Sequence, residues 1–282
     1  MRRPLALLAV IAAMSFAGPQ IGKALGIDID TVDLLDRFAA PSLLHPLGTD
    51  ELGRDLLLRL LAGGRVSLAI GIAAALAAAA LGTVVGLIAG YLGGWTDRVM
   101  MRLTDGIIAL PLLPLLIVLA ALDLNKLGVP AFLARSEDIS LLRIVALAVL
   151  VGWTTAARLV RSATLVTRNR DFVRAARSIG AGVPHILRLH ILPNVLAPLV
   201  VATTLSVGDV ILLESVLSFL GLGIQPPLAS WGTMLSNAQE LINSAPLLAI
   251  YPGAMIFLTV IAANLLGDAL QQRFDRRATL QA

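Results

Sequence analysis

The residues of this sequence that could carry chemistry are few, and they are scattered along an apolar chain. Three histidines, His45, His185 and His190, lie in different segments, which argues against a histidine metal site. The absence of cysteine excludes a disulfide, a thiolate metal site and a cysteine nucleophile. The Gly18–Lys23 segment has one residue too few between its glycines for a Walker nucleotide loop, and no HExxH or GxSxG hydrolase pattern occurs. We therefore expect no enzymatic activity and no bound cofactor in this chain.

Two carboxylates, Asp209 and Glu214, lie inside an apolar stretch, where acidic residues are costly and usually face a cavity or a partner. Five helical residues separate two side chains by about 500°, or about 140° around the axis, so these two do not form a paired acid–base site on one face. Both are candidates for the lining of a pore or for a contact between helices. For Glu214 we favour a hydrogen-bonded helix contact near the outer mouth over substrate binding.

The composition indicates an integral membrane protein. Hydrophobic residues make up 57% of the 282 residues and charged residues 14%, whereas soluble domains have about 45–50% and about 25%. The net charge of +4 does not indicate a nucleic-acid partner, because aromatic residues are only 4% and no basic run interleaves with them. We expect an all-α fold in contact with membrane lipid.

Hydropathy predicts six transmembrane helices. Arg2-Arg3 followed by Leu5–Ala17 fits either a signal peptide or a first span that continues toward Gly22, and we favour the span. The five further predicted spans are Val66–Leu92, Gly106–Leu122, Leu141–Leu159, Val195–Leu217 and Leu247–Leu266. Pro111 and Pro114 predict a kink or a break in the third span. In the second span, the glycines at 82, 86 and 90 form a small-residue stripe that predicts close packing against another helix.

The segment before the second span, His45–Leu68, contains a predicted amphipathic helix. Thr49 could cap this helix, with Asp50 and Glu51 in the first turn, where acidic side chains favour the helix dipole. Gly63-Gly64 would end it.

The segment from Asp171 to Pro193 is basic and polar between two apolar runs, so it cannot lie in the hydrocarbon and must project into water. We predict a short surface helix that begins near Asp171, stop signals at Gly180 and Gly182, and a second helix from Pro184. Pro193 should end or kink that second helix. These two helices form a predicted elbow.

Three stretches resemble a known family. Ala175-Ala176, Gly180 and Leu192-Pro193 resemble the EAA-x3-G-x9-I-x-L-P loop of binding-protein-dependent ABC importer permeases, with Arg174 in place of Glu and His190 in place of Ile. The nearest acid to Arg174 in the preceding turn is Asp171. GTDELGRDLLLR, at residues 48–59, resembles the stretch before the second span in C-type permeases of dipeptide, oligopeptide and nickel importers. ILLESVLSFLGLGIQPP, at residues 211–227, resembles the same family, including Glu214.

The resemblance implies a type I ABC importer permease with six transmembrane helices, in which the elbow is a cytoplasmic coupling helix that docks on an ATPase subunit. The coupling residues would be Asp171, Arg174, Ala175, Ala176, Gly180, His190, Leu192 and Pro193. Residues 1–65 would hold the first transmembrane helix and an extracytoplasmic segment with the amphipathic helix. Residues 66–282 would form the permease transmembrane domain of five helices, with a coupling loop at 161–194.

The resemblance also implies partners and a location. The partners would be a homologous B-type permease subunit, two ATPase subunits that bind ATP and Mg²⁺, and an extracytoplasmic substrate-binding protein. The chain would form half of a pore for dipeptides or oligopeptides; nickel or another small solute remains an alternative, and a proton-coupled secondary transporter is a further one. The location would be the inner membrane. Most of the 22 basic residues fall in segments that this topology places inside, which favours cytoplasmic termini.

Overall fold

The computed structural model describes residues 2–24, 26, 28–128, 130, 132, 136–236 and 238–280. Over these residues the chain consists of helices and loops with one isolated bridge between Thr49 and Asp55, which confirms the predicted all-α class. The α-helices are α1 (Arg2–Ala24), α2 (Leu56–Leu92), α3 (Gly94–Ala109), α4 (Leu112–Ala120), α5 (Glu137–Thr167), α6 (Asp171–Ser178), α7 (Val183–Ile186), α8 (Leu192–Phe219), α9 (Ala238–Leu241) and α10 (Leu247–Leu280). A π-helical turn, Leu187–Ile191, joins α7 to α8.

Five helical segments are long and apolar enough to cross a membrane. They are α1, α2, α5, the combined segment Val183–Phe219, and the Leu247–Phe274 part of α10. The pair α3 and α4 passes the same test but is bent by 85°. The six predicted spans thus correspond to five continuous segments and one broken one.

The break between α3 and α4 lies at Pro111, as the sequence predicts. A proline disfavours helical backbone at the preceding residue, and Leu110 has the extended values φ −74° and ψ 138°. The predicted span Gly106–Leu122 is therefore divided, because its first residues complete α3. Arg143 of α5 donates hydrogen bonds to the carbonyl oxygens of Leu119, Ala120 and Leu122, which cap the end of α4.

The prediction of a separate amphipathic helix before the second span, capped by Thr49, is wrong. Thr49 and Asp50 lie in a loop, in which Asp50 Oδ1 accepts hydrogen bonds from the backbone N–H groups of Leu52 and Arg54 at 2.8 and 3.0 Å. The helix begins at Leu56, and Asp55 caps it by accepting the N–H of Leu58 at 2.7 Å. It then continues without interruption to Leu92, so residues 65 and 66 lie within one helix.

Gly63 and Gly64 lie inside α2 and do not end it. Glycine in a helix interior costs about 1 kcal/mol relative to alanine, but here it admits a neighbouring loop. A Cβ atom on Gly63 would stand 3.1 Å from the backbone carbon of Ser230, and one on Gly64 would stand 2.7 Å from the ring of Trp231. The predicted stop signal is instead a site of close packing.

The glycine stripe of α2 packs against α5 of the same chain. A Cβ atom on Gly86 would lie 2.6 Å from the carbonyl oxygen of Ala157 and 2.7 Å from Cβ of Val160. Gly82 and Gly90 make equally close approaches to the same helix. The predicted close packing is confirmed, and its partner is an element of this chain.

The remaining long helices complete the bundle around α2. Helix α8 packs against α2, α5 and α10, and α1 packs against α2 and α10. Helix α1 buries the small residues Ser15, Gly18 and Gly22. Its place in the bundle favours a first span over a signal peptide.

Candidate functional site

The elbow has the shape that the sequence predicts. Helix α6 ends in a tight turn, in which the N–H of Ala181 donates to the carbonyl oxygen of Ala176 and the N–H of Gly180 donates to that of Arg177, both at 3.0 Å. Gly180 has a φ of +85°, the left-handed conformation that closes many helices and that glycine adopts without strain. This turn sets the direction in which the chain leaves α6.

One face of α6 is fixed to the rest of the protein. Val173 and Ala176 are buried in a cluster with Ile186, Ile191 and Val195. Ala176, a predicted coupling residue, is therefore part of the elbow's own core. Its side chain packs inside the elbow, and its part in coupling stays a prediction.

The remaining surface of α6 and the residue after it are exposed and partly apolar. Arg174 and Ala175 lie opposite the buried face, Phe172 lies at its side, and Ile179, directly after the helix, is 86% exposed. Neither Phe172 nor Ile179 was among the predicted coupling residues. Their apolar character in a polar loop was the signal that could have identified them.

Two arginines that were not among the predicted coupling residues contact the end of α2. Arg168, which follows the last residue of α5, donates to the carbonyl oxygen of Gly90 at 2.7 Å and of Tyr91 at 3.3 Å. Arg177 of α6 donates to the Tyr91 hydroxyl at 3.3 Å, and its guanidinium carbon lies 5.6 Å from the centre of the Tyr91 ring. Cationic side chains are favourable at the carbonyl end of a helix, so Arg168 joins the end of α5 to α2, and Arg177 links α6 to α2 through Tyr91.

Pro193, which was predicted to end or kink the second helix of the elbow, lies next to a π-helical turn. The proline does not end the helix, but lies in the first turn of α8, directly after the π-helical turn. Proline lacks the N–H that an α-helix would use, and the wider π turn accommodates this loss without breaking the helix. Leu192 is half-buried and Pro193 exposed.

His190 is half-buried inside the elbow. Its ring centre lies 6.4 Å from that of Phe172 in α6 and 5.8 Å from that of His185 in α7. His190 thus joins the two halves of the elbow. Through these two ring contacts, His190, one of the predicted coupling residues, helps to hold α6 against α7.

Arg174 and Asp171 are both strongly exposed, and their charged atoms are 3.9 Å apart. Exposed ion pairs contribute little, because water and salt screen them. We expect Arg174→Ala to lower transport by no more than about fivefold, the equivalent of about 1 kcal/mol. Initial rates of uptake in reconstituted vesicles check this, with Arg170→Ala, at the position before α6, as a neighbouring charge control. A loss of tenfold or more would assign Arg174 a strong contact with a partner.

A second cluster surrounds Glu214, which has no exposed surface. Its carboxylate accepts hydrogen bonds from the hydroxyls of Ser218 and Ser230, each at 2.7 Å, and from that of Ser67 at 3.2 Å. These serines belong to α8, the loop after α8, and α2. Glu214 therefore joins two helices and a loop by hydrogen bonds.

The loop after α8 is held further by Trp231. Its backbone N–H donates to Ser67 Oγ at 3.1 Å, and its indole N–H donates to the carbonyl oxygen of Leu60 at 2.9 Å. The side chain is fully buried. The packing of this loop against α2 was not predicted from the sequence.

Asp209 does not join the Glu214 cluster. It is exposed on α8, whereas Glu214 faces the interior of the bundle. The structure thus separates the two carboxylates, as the helical geometry predicts.

Comparison with known proteins identifies relatives over most of the chain. The protein family described as binding-protein-dependent transport system inner membrane component matches residues 82–280. A Brucella suis protein named as a peptide permease is 39% identical over 251 residues, which cover 88% of this chain and 78% of the relative. The glutathione transport system permease protein GsiD of Shigella flexneri is 43% identical over 235 residues, covering 83% and 73%. GsiD of an Escherichia coli strain is 42% identical over the same length.

Proposed function

Since the chain belongs to the family of binding-protein-dependent transport system inner membrane components, we propose that it forms half of the translocation pore of a peptide importer. The chain is a type I ABC permease and a multi-pass inner membrane protein. The observation that carries the proposal is the elbow: one face of α6 packs on the rest of the elbow, Arg177 of α6 contacts the end of α2, and the remaining surface of α6 is exposed. Such an element can transmit motion from a partner to the membrane helices.

The proposed substrates are short peptides. Two groups of relatives support this, since one is named for peptides and the other for glutathione, which is itself a tripeptide. The identities of about 40% extend over more than four fifths of the chain. Nickel and other small solutes are the alternative cargo within the wider resemblance.

The proposed partners follow from the family. Importers of this family combine permeases with ATPase subunits and a binding protein; here we propose a B-type permease, two ATPases and an extracytoplasmic binding protein. ATP and Mg²⁺ would bind to the ATPases. The elbow would lie in the cytoplasm together with both termini, and the arginines around α6 support this orientation.

The proposed docking face of the elbow comprises the exposed part of α6 and the turn after it. Arg174, Ala175 and Ile179 would contact the ATPase, and Gly180 would set their position. Ala176 and His190 would hold the two halves of the elbow together. Asp171, at the start of α6, and Leu192 and Pro193, at the start of α8, remain proposed coupling residues.

Uptake by the complete complex in vesicles tests the proposed function. We expect uptake of labelled di- or tripeptides that needs both internal ATP and the loaded binding protein and that continues when an uncoupler removes the proton gradient. A catalytically inactive ATPase is the matched control. Uptake that proceeds without ATP and that an uncoupler abolishes would identify a secondary transporter. Uptake of nickel but not of peptides would show that the cargo is nickel and not a peptide.

A further inference from the structure

Three arginines near the N-terminal end of α2, Arg54, Arg59 and Arg65, differ in whether a carboxylate neutralises their charge. Arg54 pairs with Asp50 at 2.8 Å, and Arg59 pairs with Asp30 at 3.1 Å and with Asp50 at 3.4 Å. Arg65, further along the helix, is exposed. In the part of the chain that the structure describes, no carboxylate oxygen lies within 4.0 Å of its guanidinium.

Arg65 is nevertheless held in position. Its guanidinium carbon lies 5.9 Å from the centre of the Phe16 ring of α1, a cation–π contact. A charged side chain in a membrane span is costly and usually faces water, a cavity or a partner. Phe16 lines the neighbouring groove on α2, so the guanidinium lies at the edge of the adjacent cavity, and the contact leaves its N–H donors available.

Arg65 lines a cavity of about 470 Å³. The walls are mainly apolar and come from α2, from the beginning of α5 at Leu141 and Val145, and from the loop at 227–229. The second charged residue of the lining, Asp30, is already paired with Arg59. The volume lies within the range of about 300–1,000 Å³ that is typical of sites for small molecules.

A guanidinium at the edge of an apolar cavity is suited to a carboxylate, because its planar donors match the two carboxylate oxygens. A C-terminal carboxylate is common to all unmodified peptides, whereas their side chains vary. A single positive charge beside apolar walls could therefore bind the C-terminal carboxylate of many peptides, whatever their side chains. We propose that Arg65 binds the C-terminal carboxylate of the peptide as it passes through this cavity, an inference that rests on the proposed peptide cargo.

The first experiment tests the cavity itself and needs no substrate. Because the chain has no cysteine, Ala69→Cys, in the cavity lining on α2, introduces a single thiol, and Ile72→Cys, in the apolar groove on another side of α2, is its control. In the assembled complex, membrane-impermeant methanethiosulfonates with a sulfonate or a trimethylammonium group should label the Ala69→Cys variant and leave the Ile72→Cys variant unlabelled. Adding Arg65→Gln to Ala69→Cys should lower the ratio of sulfonate to trimethylammonium labelling rates about tenfold.

The second experiment tests the carboxylate. Uptake of a dipeptide and uptake of its C-terminal amide are measured in the complete complex. Each uptake rate is divided by the fraction of purified binding protein that the same peptide occupies, so that differences in binding-protein affinity do not enter the comparison. Arg65→Gln should lower uptake of the free acid about tenfold and leave uptake of the amide at the wild-type rate. Arg65→Lys, which keeps the charge but not the planar fork, should lie between Arg65→Gln and wild type.

The other outcomes overturn the proposal. Protection of the Ala69→Cys thiol from both reagents would show that lipid or the second permease fills the cavity. An Arg65→Gln effect that occurs only in vesicles containing anionic lipid would assign the guanidinium to a lipid phosphate. Equal losses for acid and amide would indicate a structural role. If the wild-type complex transports peptides and Arg65→Gln changes the uptake of neither the acid nor the amide, only the proposed role of Arg65 fails. If the wild-type complex transports no peptide, the proposed function fails.

Discussion

Glu214→Leu is expected to abolish uptake and to reduce the amount of assembled complex, whereas Glu214→Gln should retain a substantial part of both. Leucine removes the acceptor of three buried serine hydroxyls, those of Ser67, Ser218 and Ser230. Each buried polar group that loses its partner costs about 1–3 kcal/mol. The amide of glutamine keeps one acceptor oxygen, so it can preserve at least one of these hydrogen bonds.

Two measurements separate folding from transport in these variants. The amount of complex that survives detergent extraction, and its thermal unfolding temperature, report on the helix contact, and uptake in vesicles reports on function. Ser218→Ala, which removes one donor and leaves the carboxylate in place, is the matched control and should have a smaller effect than Glu214→Leu. If Glu214→Gln and Glu214→Leu both assemble fully and both lose all uptake, the carboxylate has a charge-dependent role in transport instead.

Gly180→Val is expected to uncouple ATP hydrolysis from transport. At a φ of +85° a residue with a side chain is strained by about 1–2 kcal/mol, so the turn after α6 should change its shape. The complex should still reach the membrane, and basal hydrolysis should persist. We expect stimulation by the loaded binding protein and peptide uptake to fall together, by about tenfold, the equivalent of about 1.4 kcal/mol.

Gly182→Val is the matched control for Gly180→Val. Gly182 lies two residues further along the same loop but has a φ of −69°, and the nearest atom to an added Cβ is 3.9 Å away. It should therefore tolerate the same substitution with nearly normal uptake. ATPase rates with and without loaded binding protein, measured in the same vesicles, compare the two variants. Normal stimulation in Gly180→Val would remove the coupling role from this turn.

The features that the sequence predicted well are those set by local chemistry. Hydropathy located the spans, Pro111 located the break between α3 and α4, and Gly180 located the turn of the elbow. Each depends on the backbone preference of one residue or on a long apolar run. Glu214 also belongs here, because a carboxylate in an apolar helix must find hydrogen-bond donors.

The features that the sequence predicted poorly depend on contacts between distant segments. Thr49 resembles a helix cap, but its segment forms a loop and Asp55 takes the capping role. Gly63 resembles a helix stop, but it receives a loop more than 160 residues away. The hydrogen bonds of Arg168 to the end of α2 are equally non-local, so its position in a basic segment could indicate only topology.

The length of α2 has a mechanical consequence. Its 37 residues extend over about 55 Å, from the N-cap Asp55 to the last turn, which Arg168 and Arg177 contact. The first three turns support Trp231 and, through Ser67, the Glu214 cluster. A rod of this length that tilts by about 5° about one end shifts its other end by about 5 Å, close to the pitch of one helical turn. If the proposed coupling holds, a small tilt of α2 near the elbow would be amplified at the far end, which supports Trp231 and the Glu214 cluster.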